Sequence, residues 1–395
     1  MASPTIQAAR VENSVTDTTE RSVLTAPPAG PARPPSLRQQ LWAIPLLTIA
    51  GLIVATVFVA SVWPTRWYET APGDAKRVAD RLSIADAQTY DSGDILFVTA
   101  GGAAMTPLMA FVGWVDPVVD VRTCEQAGVC GVPRDQIRQR NLGAMTSAKQ
   151  IAEYVALSRL GYEATLNPGP AQVNNDFGAA ECPADAPADA ACRVLAFGDT
   201  IIAVDGEATP TIVELSAAIS AHQPGDVVTL TVTPLESTQP VDKQVQLIAD
   251  PNDASRTIVG FTPRDTRTVT VPVTVEVDTG DVGGPSAGLA FTLALIDALT
   301  PGSLTGDTKV AVTGTIDADG TVGAIGSLPQ KADAIRRAGA TLFIVPAGQG
   351  ADELARAREI AGDGVEIVTV ANLDEALQVI ADHGGQQDPL AAAPS

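Results

Sequence analysis

The stretch "TVTVPVTVEVDTGDVGGPSAGLAFTLALIDAL", residues 268–299, changes its periodicity once, and that change sets the fold. Its first ten residues, 268–277, are dense in valine and threonine, the composition of a strand. From Pro285 to Leu299 the apolar run is long enough for four turns of helix. Between them Gly283, Gly284 and Pro285 bring the chain to a single serine, Ser286. Proline suits a helix start because its φ is already fixed. The glycines let the backbone pass close to another segment and leave N–H groups free at the positive end of the helix. Such a serine has two readings: a cap on the helix, or a nucleophile beside ready donors for an oxyanion.

Downstream the alternation continues. "KVAVTGTI" (309–316) reads as a strand, Asp319-Gly320 as a turn, and a helix follows from Pro329. The strand "TLFIVP" (341–346), a helix from Ala351, the strand "VEIVTV" (365–370) and a helix over 372–382 complete the pattern. Strands and helices in turn predict an α/β domain of about 130 residues, placed at 251–384, with a disordered tail over 385–395.

A nucleophilic serine needs a base, and the chain has two histidines, His222 and His383, neither in a catalytic context. A Ser-His-Asp triad is therefore not expected. Lysine is the remaining common base, provided burial or nearby positive potential lets it lose its proton. Lys331, in "VGAIGSLPQKADAIRRAGA", stands just after Pro329 in a first helical turn, where the dipole disfavours a cation, beside apolar sequence that excludes water. The plainer reading of Lys331 is chance, or an ion pair with Asp333.

"GGPSAG" followed by "VAVTGTIDADGTVGAIGSLPQKADAIRRAGATLFIVP" resembles the proteolytic domain of the Lon family of serine proteases. That resemblance implies Ser286 as nucleophile, Lys331 as general base and Thr313 as the residue that orients the lysine. Backbone N–H groups around Gly284 to Ser286 are expected to form part of the oxyanion hole. No metal or cofactor is implied. Where many family members have an aspartate three residues before the serine, this chain has Gly283, with Asp281 shifted, and Ser327 replaces the second glycine of the I-G-G motif. No G-x-x-x-x-G-K-[ST] phosphate loop occurs, so the implied activity is independent of ATP, on unfolded or membrane-proximal polypeptides.

Upstream, "VLAFGDTIIAVDGEATPTIVELSAAISAHQPGDVVTLTVTP", from Val194, predicts a strand, a helix over 211–222 and a strand over 227–233. It resembles the second half of a PDZ domain, so an α+β unit is placed at 161–250. PDZ domains take a peptide terminus or segment as an added strand. Residues 64–160 read as a membrane-proximal segment with a strand at 94–100 and an amphipathic helix near 145–162, and no function is assigned to them.

Residues 41–63, "LWAIPLLTIAGLIVATVFVASVW", carry no charge and suffice to cross a hydrocarbon core of roughly 30 Å. Trp42 lies at one end and Trp63, Trp67 and Tyr68 at the other, as interfacial rings do. Arginine and lysine on either side do not set the orientation. Cys124 with Cys130 and Cys182 with Cys192 sit in loop-like sequence and suit two disulfides, against zinc or free thiols as rivals. If they pair, the part after Trp63 is extracytoplasmic and residues 1–40 form a disordered cytoplasmic leader. A formal charge of −21 disfavours nucleic acid. Anchor, PDZ unit and protease domain in this order resemble the membrane-anchored PDZ/Lon proteins of the YlbL-like group. Partners so implied are polypeptides, and further copies of the chain, since Lon-type domains often form rings. The rival function is a membrane-tethered PDZ adaptor with a non-catalytic Lon-like scaffold.

Overall fold

The computed structural model describes residues 37–90, 93–174, 182, 186–235, 237–250 and 253–385. The tail over 386–395 and residues 1–36 of the expected leader lie outside these. The chain divides into a first compact unit ending at Val57 and a second starting at Phe58. Helix α1, Leu37–Val62, takes in the last four residues of the expected leader. Over Ile44–Val62 it is long and apolar enough to cross a membrane, by length and composition, and none of it is buried.

The second unit starts with strands β1 (Trp67–Arg77), β2 (Leu82–Ala85) and β3 (Ile95–Ala104), helix α2 (Pro107–Val115), strand β4 (Asp120–Thr123), helix α3 (Arg134–Arg159) and strand β5 (Thr165–Asn167). A smaller group follows: β6 (Ala171–Val173), α4 (Ala191–Val194), β7 (Thr200–Val204), β8 (Glu207–Ala208), α5 (Ile212–Ser220), β9 (Val227–Thr233) and β10 (Val241–Gln246). It continues through β11 (Ile248–Asp250), β12 (Asp253–Ile258) and β13 (Pro263–Asp265). The chain then returns with β14 (Thr268–Thr270), β15 (Thr274–Val277), α6 (Gly288–Leu299), β16 (Val310–Val312), β17 (Thr315–Ile316) and β18 (Val322–Gly323). Helix α7 (Leu328–Ala338), β19 (Leu342–Pro346), α8 (Ala351–Ala361), β20 (Glu366–Val370) and α9 (Leu373–Asp382) complete it.

The main sheet runs β20-β19-β16-β3-β1-β4. Half of its strands come from residues expected to form a separate membrane-proximal segment: Ile95–Phe97 pair in parallel with Val310–Val312, and β1 and β4 extend the sheet from there. The α/β domain is therefore not confined to 251–384. Its first half precedes the smaller sheet, which is inserted into it. Nor does the smaller unit stop at residue 250, because β13 pairs with β6 and closes the order β10-β9-β7-β6-β13. The strand expected over 268–277 is two strands, broken at Pro272, which has no N–H to give to a ladder; β14 pairs with β5 and β15 with β2.

Alternation along the central strands explains the layers. Ile95 and Phe97 of β3, with Leu342 and Ile344 of β19, face one core together with α6, α3 and α9. Leu96 and Val98, with Phe343 and Val345, face a second core under α7 and α8. Both faces are covered, so these strands are continuously apolar. Every residue of α6 is buried, and Phe291 meets Phe97 edge to face with ring centroids 5.7 Å apart.

Candidate active site

Helix α6 lies on one face of the sheet and α7 on the other, and their N-terminal ends meet past the carboxyl end of β16, where ligands collect in open α/β sheets. Ser286 is in the turn before α6, which starts at Gly288 and not at Pro285. Its carbonyl accepts from the Gly314 N–H (2.8 Å) and from the Thr313 hydroxyl (3.1 Å), which ties the turn to the residues that follow β16. Gly284 has a φ of +92°, a conformation open to glycine. Its N–H donates to the Asn141 carbonyl of α3 at 2.7 Å, so the expected oxyanion role for Gly284 does not hold: that donor is engaged elsewhere. A Cβ on Gly283 would stand 2.6 Å from Asn141 Cβ, which explains that glycine by close approach.

Lys331 is in the first turn of α7 and is 4 % exposed. Its ammonium donates to Thr313 Oγ1 at 3.1 Å. Burial pulls its pKa from 10.5 down to about 8, opposed in part by the charge of Glu353. Asp333, the alternative ion-pair partner, binds Arg336 and Arg337 instead. Ser327, where the I-G-G motif has glycine, precedes α7 with φ +63°, and its carbonyl accepts from the Lys331 N–H at 3.0 Å. A non-glycine residue there is strained, and its neighbours hold the loop. Gln349 bonds both backbone groups of Ile325, and Glu353 accepts from the Leu328 N–H and from Gln349.

Ser286, Lys331 and Gly284 line one cleft of about 710 Å³, together with Gly73, Thr99 and Gly101. Ser286 Oγ makes no hydrogen bond among the described residues. Neither histidine lines the cleft. His222 faces Asp205 and Asp226 in the smaller sheet, and His383 bonds the Val379 carbonyl at 2.6 Å. Asp281 pairs with Arg138 on the surface. The cysteines form disulfides, Cys124 with Cys130 and Cys182 with Cys192, which leaves neither pair free as thiols or as zinc ligands.

Sequence reasoning missed Asn141, Gln349 and Glu353. The first shares no local pattern with the serine loop, and the other two lie on the far side of β19. Only the strand at 94–100 hinted that upstream residues join the sheet.

Residues 261–382 match the Lon protease (S16) C-terminal proteolytic domain. Over 95 residues the chain is 39% identical to a Lon protease of Clostridioides difficile, which covers 24% of this chain and 12% of that protein. Over 101 residues it is 36% identical to the archaeal Lon protease of Methanocaldococcus jannaschii, covering 26% and 14%. The chain thus spans about an eighth of the length of the curated relatives it matches. Among solved structures, it is similar to the PDZ domain of an SdrC-like protein from Listeria monocytogenes at 21% identity, over 25% of this chain and 86% of that one, with a TM-score of 0.18. On the family match, with serine, threonine and lysine gathered past the carboxyl end of β16, the chain carries a Lon-family proteolytic domain.

Proposed function

We propose that the chain is an ATP-independent, membrane-anchored serine endopeptidase in which Ser286 is the nucleophile and Lys331 the general base. The observation that carries this reading is a buried lysine, its pKa brought down to about 8, hydrogen-bonded to Thr313 in the cleft that Ser286 lines. A neutral amine there takes the Ser286 proton as Oγ adds to the scissile carbonyl carbon. The oxyanion formed has the Ser286 and Ala287 N–H groups nearby, neither engaged in a hydrogen bond among the described residues. Collapse breaks the C–N bond, and the leaving amine collects the proton from the lysine ammonium. The amine, again neutral, deprotonates a water that attacks the acyl ester and frees Ser286.

The substrate runs as an extended strand. From Val98 to Ala104 one edge of β3 pairs with β1, and no named strand among the described residues takes the other. That stretch lines first the cleft and then a neighbouring cavity of about 580 Å³. The two cavities share Asn141, Asp281 and Gly283. Gly101 and Gly102 are exposed there, and strand glycines mark places where another backbone comes close.

The smaller sheet acts as a PDZ-like recognition unit. Its terminal strand β13 is paired on one side only, leaving an edge for an added peptide. Helix α1 anchors the chain, and the two disulfides favour an oxidising, extracytoplasmic setting for the rest.

The test is cleavage of an unfolded, fluorogenic polypeptide by full-length protein in nanodiscs, with a fluorophosphonate serine label in parallel. Ser286→Ala and Lys331→Ala are expected to lose cleavage, and Ser286→Ala the label as well. Turnover like that of the wild type in either variant rejects the dyad.

A further inference from the structure

Helix α2, "PLMAFVGWV", turns its small residues inward and its large apolar ones outward. Ala110 and Gly113 are buried, and a Cβ on Gly113 would meet Val121 at 2.9 Å and Met105 at 3.1 Å. Met109, Phe111, Val112, Trp114 and Val115 are all exposed, from 42% to 72%. These five are nearly half of the eleven exposed large apolar side chains that follow Val62 among the described residues. A helix on a water-facing surface has the opposite arrangement, and a contiguous apolar patch of this kind marks an interaction surface.

The position of α2 in the fold selects the partner. Thr106 caps the helix, and the Met105 N–H before it donates to the Trp67 carbonyl at 2.8 Å. Trp67 and Trp114 meet edge to face with centroids 5.0 Å apart. Trp67 follows the last residue of α1, Val62, by five positions, a tether of at most about 17 Å. Any bilayer that α1 crosses therefore ends within a short reach of α2. Arg66, exposed between Trp63 and Trp67, is at the height where cationic and aromatic side chains settle.

We propose that α2 is a second membrane contact, lying in the plane of the headgroup layer with Phe111, Val112, Trp114 and Val115 entering the acyl boundary. It rests on the reading of α1 as a membrane anchor. No charge occurs within α2 to oppose such entry. With two attachments, the strand pair β1 and β3, which lines both substrate cavities, is held at a fixed height over the lipid, so the protease faces membrane-proximal segments.

The experiment uses the full chain in nanodiscs. All four cysteines are in disulfides, so Val112→Cys supplies the only free thiol for an environment-sensitive fluorophore. Val54→Cys in α1 reads the anchor, and Gln378→Cys on α9 serves as an exposed reference. In discs whose lipids carry bromine on the acyl chains, the labels at 54 and 112 are expected to lose emission relative to unbrominated discs, and the label at 378 to keep it. Quenching at 54 with full emission at 112 overturns the proposal and leaves the anchor standing; full emission at both overturns the two together. If the 112 label escapes bromine yet self-quenches in discs holding two chains, the face belongs to a second copy and the lipid contact is rejected.

Discussion

Replacing Lys331 by methionine should make the protein more stable while it abolishes cleavage. In the fold the amine titrates near 8, against 10.5 for a lysine in water, so at neutral pH the chain holds a buried charge that it would shed if it could. A difference of this size corresponds to about 3 kcal/mol of destabilisation. Methionine keeps the unbranched length and removes the charge, but forfeits the hydrogen bond to Thr313, worth about 1 kcal/mol. The variant should therefore gain about 2 kcal/mol at pH 7, a rise in Tm of roughly 4 °C. The pH dependence gives the sign. Below the folded pKa both states carry the proton and the penalty is constant; between about 8 and 10.5 only the unfolded state binds it, so wild-type stability climbs with pH while the variant's does not. Above that window the order should reverse by about the value of the lost hydrogen bond. Thermal unfolding of both proteins in detergent at pH 7, 9 and 11 measures this. A variant less stable at pH 7, or a gap that does not change with pH, would refute the claim that the fold strains this amine.

Other outcomes follow from the same geometry. Cleavage should rise about tenfold per pH unit below 8 and level off above it, since about one lysine in ten is neutral at pH 7; a midpoint near 6.5 would point to a histidine instead. Glu353→Gln keeps the acceptor for the Leu328 N–H but removes the charge that favours the ammonium, so the acid limb of the pH–rate profile should move to lower pH. Thr313→Val removes the hydrogen-bond acceptor of the lysine ammonium and should lower kcat on the order of tenfold or more with little change in KM, as read by steady-state kinetics. Gly283→Ala drives a Cβ into Asn141 and should lower kcat/KM by about a hundredfold without unfolding the protein, checked by circular dichroism beside the rate.

The residues of the site were legible because they lie in short, continuous stretches whose periodicity is local. The helix after Ser286, the helix bearing Lys331 and the strands between them occur where the pattern puts them, within a few residues. What the pattern hides is pairing. Nothing in "DILFVTA" states that Ile95 lies beside Val310, because a parallel ladder joins segments that share no turn. The same blindness moved the boundaries of both units and concealed Asn141, whose carbonyl takes the N–H of Gly284 from a helix more than a hundred residues away in the chain. Glu353 escaped for a different reason: a carboxylate in the first turn of α8 looks like ordinary dipole chemistry until the fold brings α7 against it.

Strands β5 and β14 flank the inserted sheet and pair with each other, Asn167 opposite Thr268 and Thr165 opposite Thr270. The roughly one hundred residues between them leave and re-enter the main-sheet scaffold through a single narrow neck. A two-residue Asn-Gly turn could bridge that neck as an ordinary hairpin, so the inserted sheet is detachable in the way of a cassette. Lineages could exchange it, or engineers could graft another reader there, without disturbing how the scaffold closes around its serine.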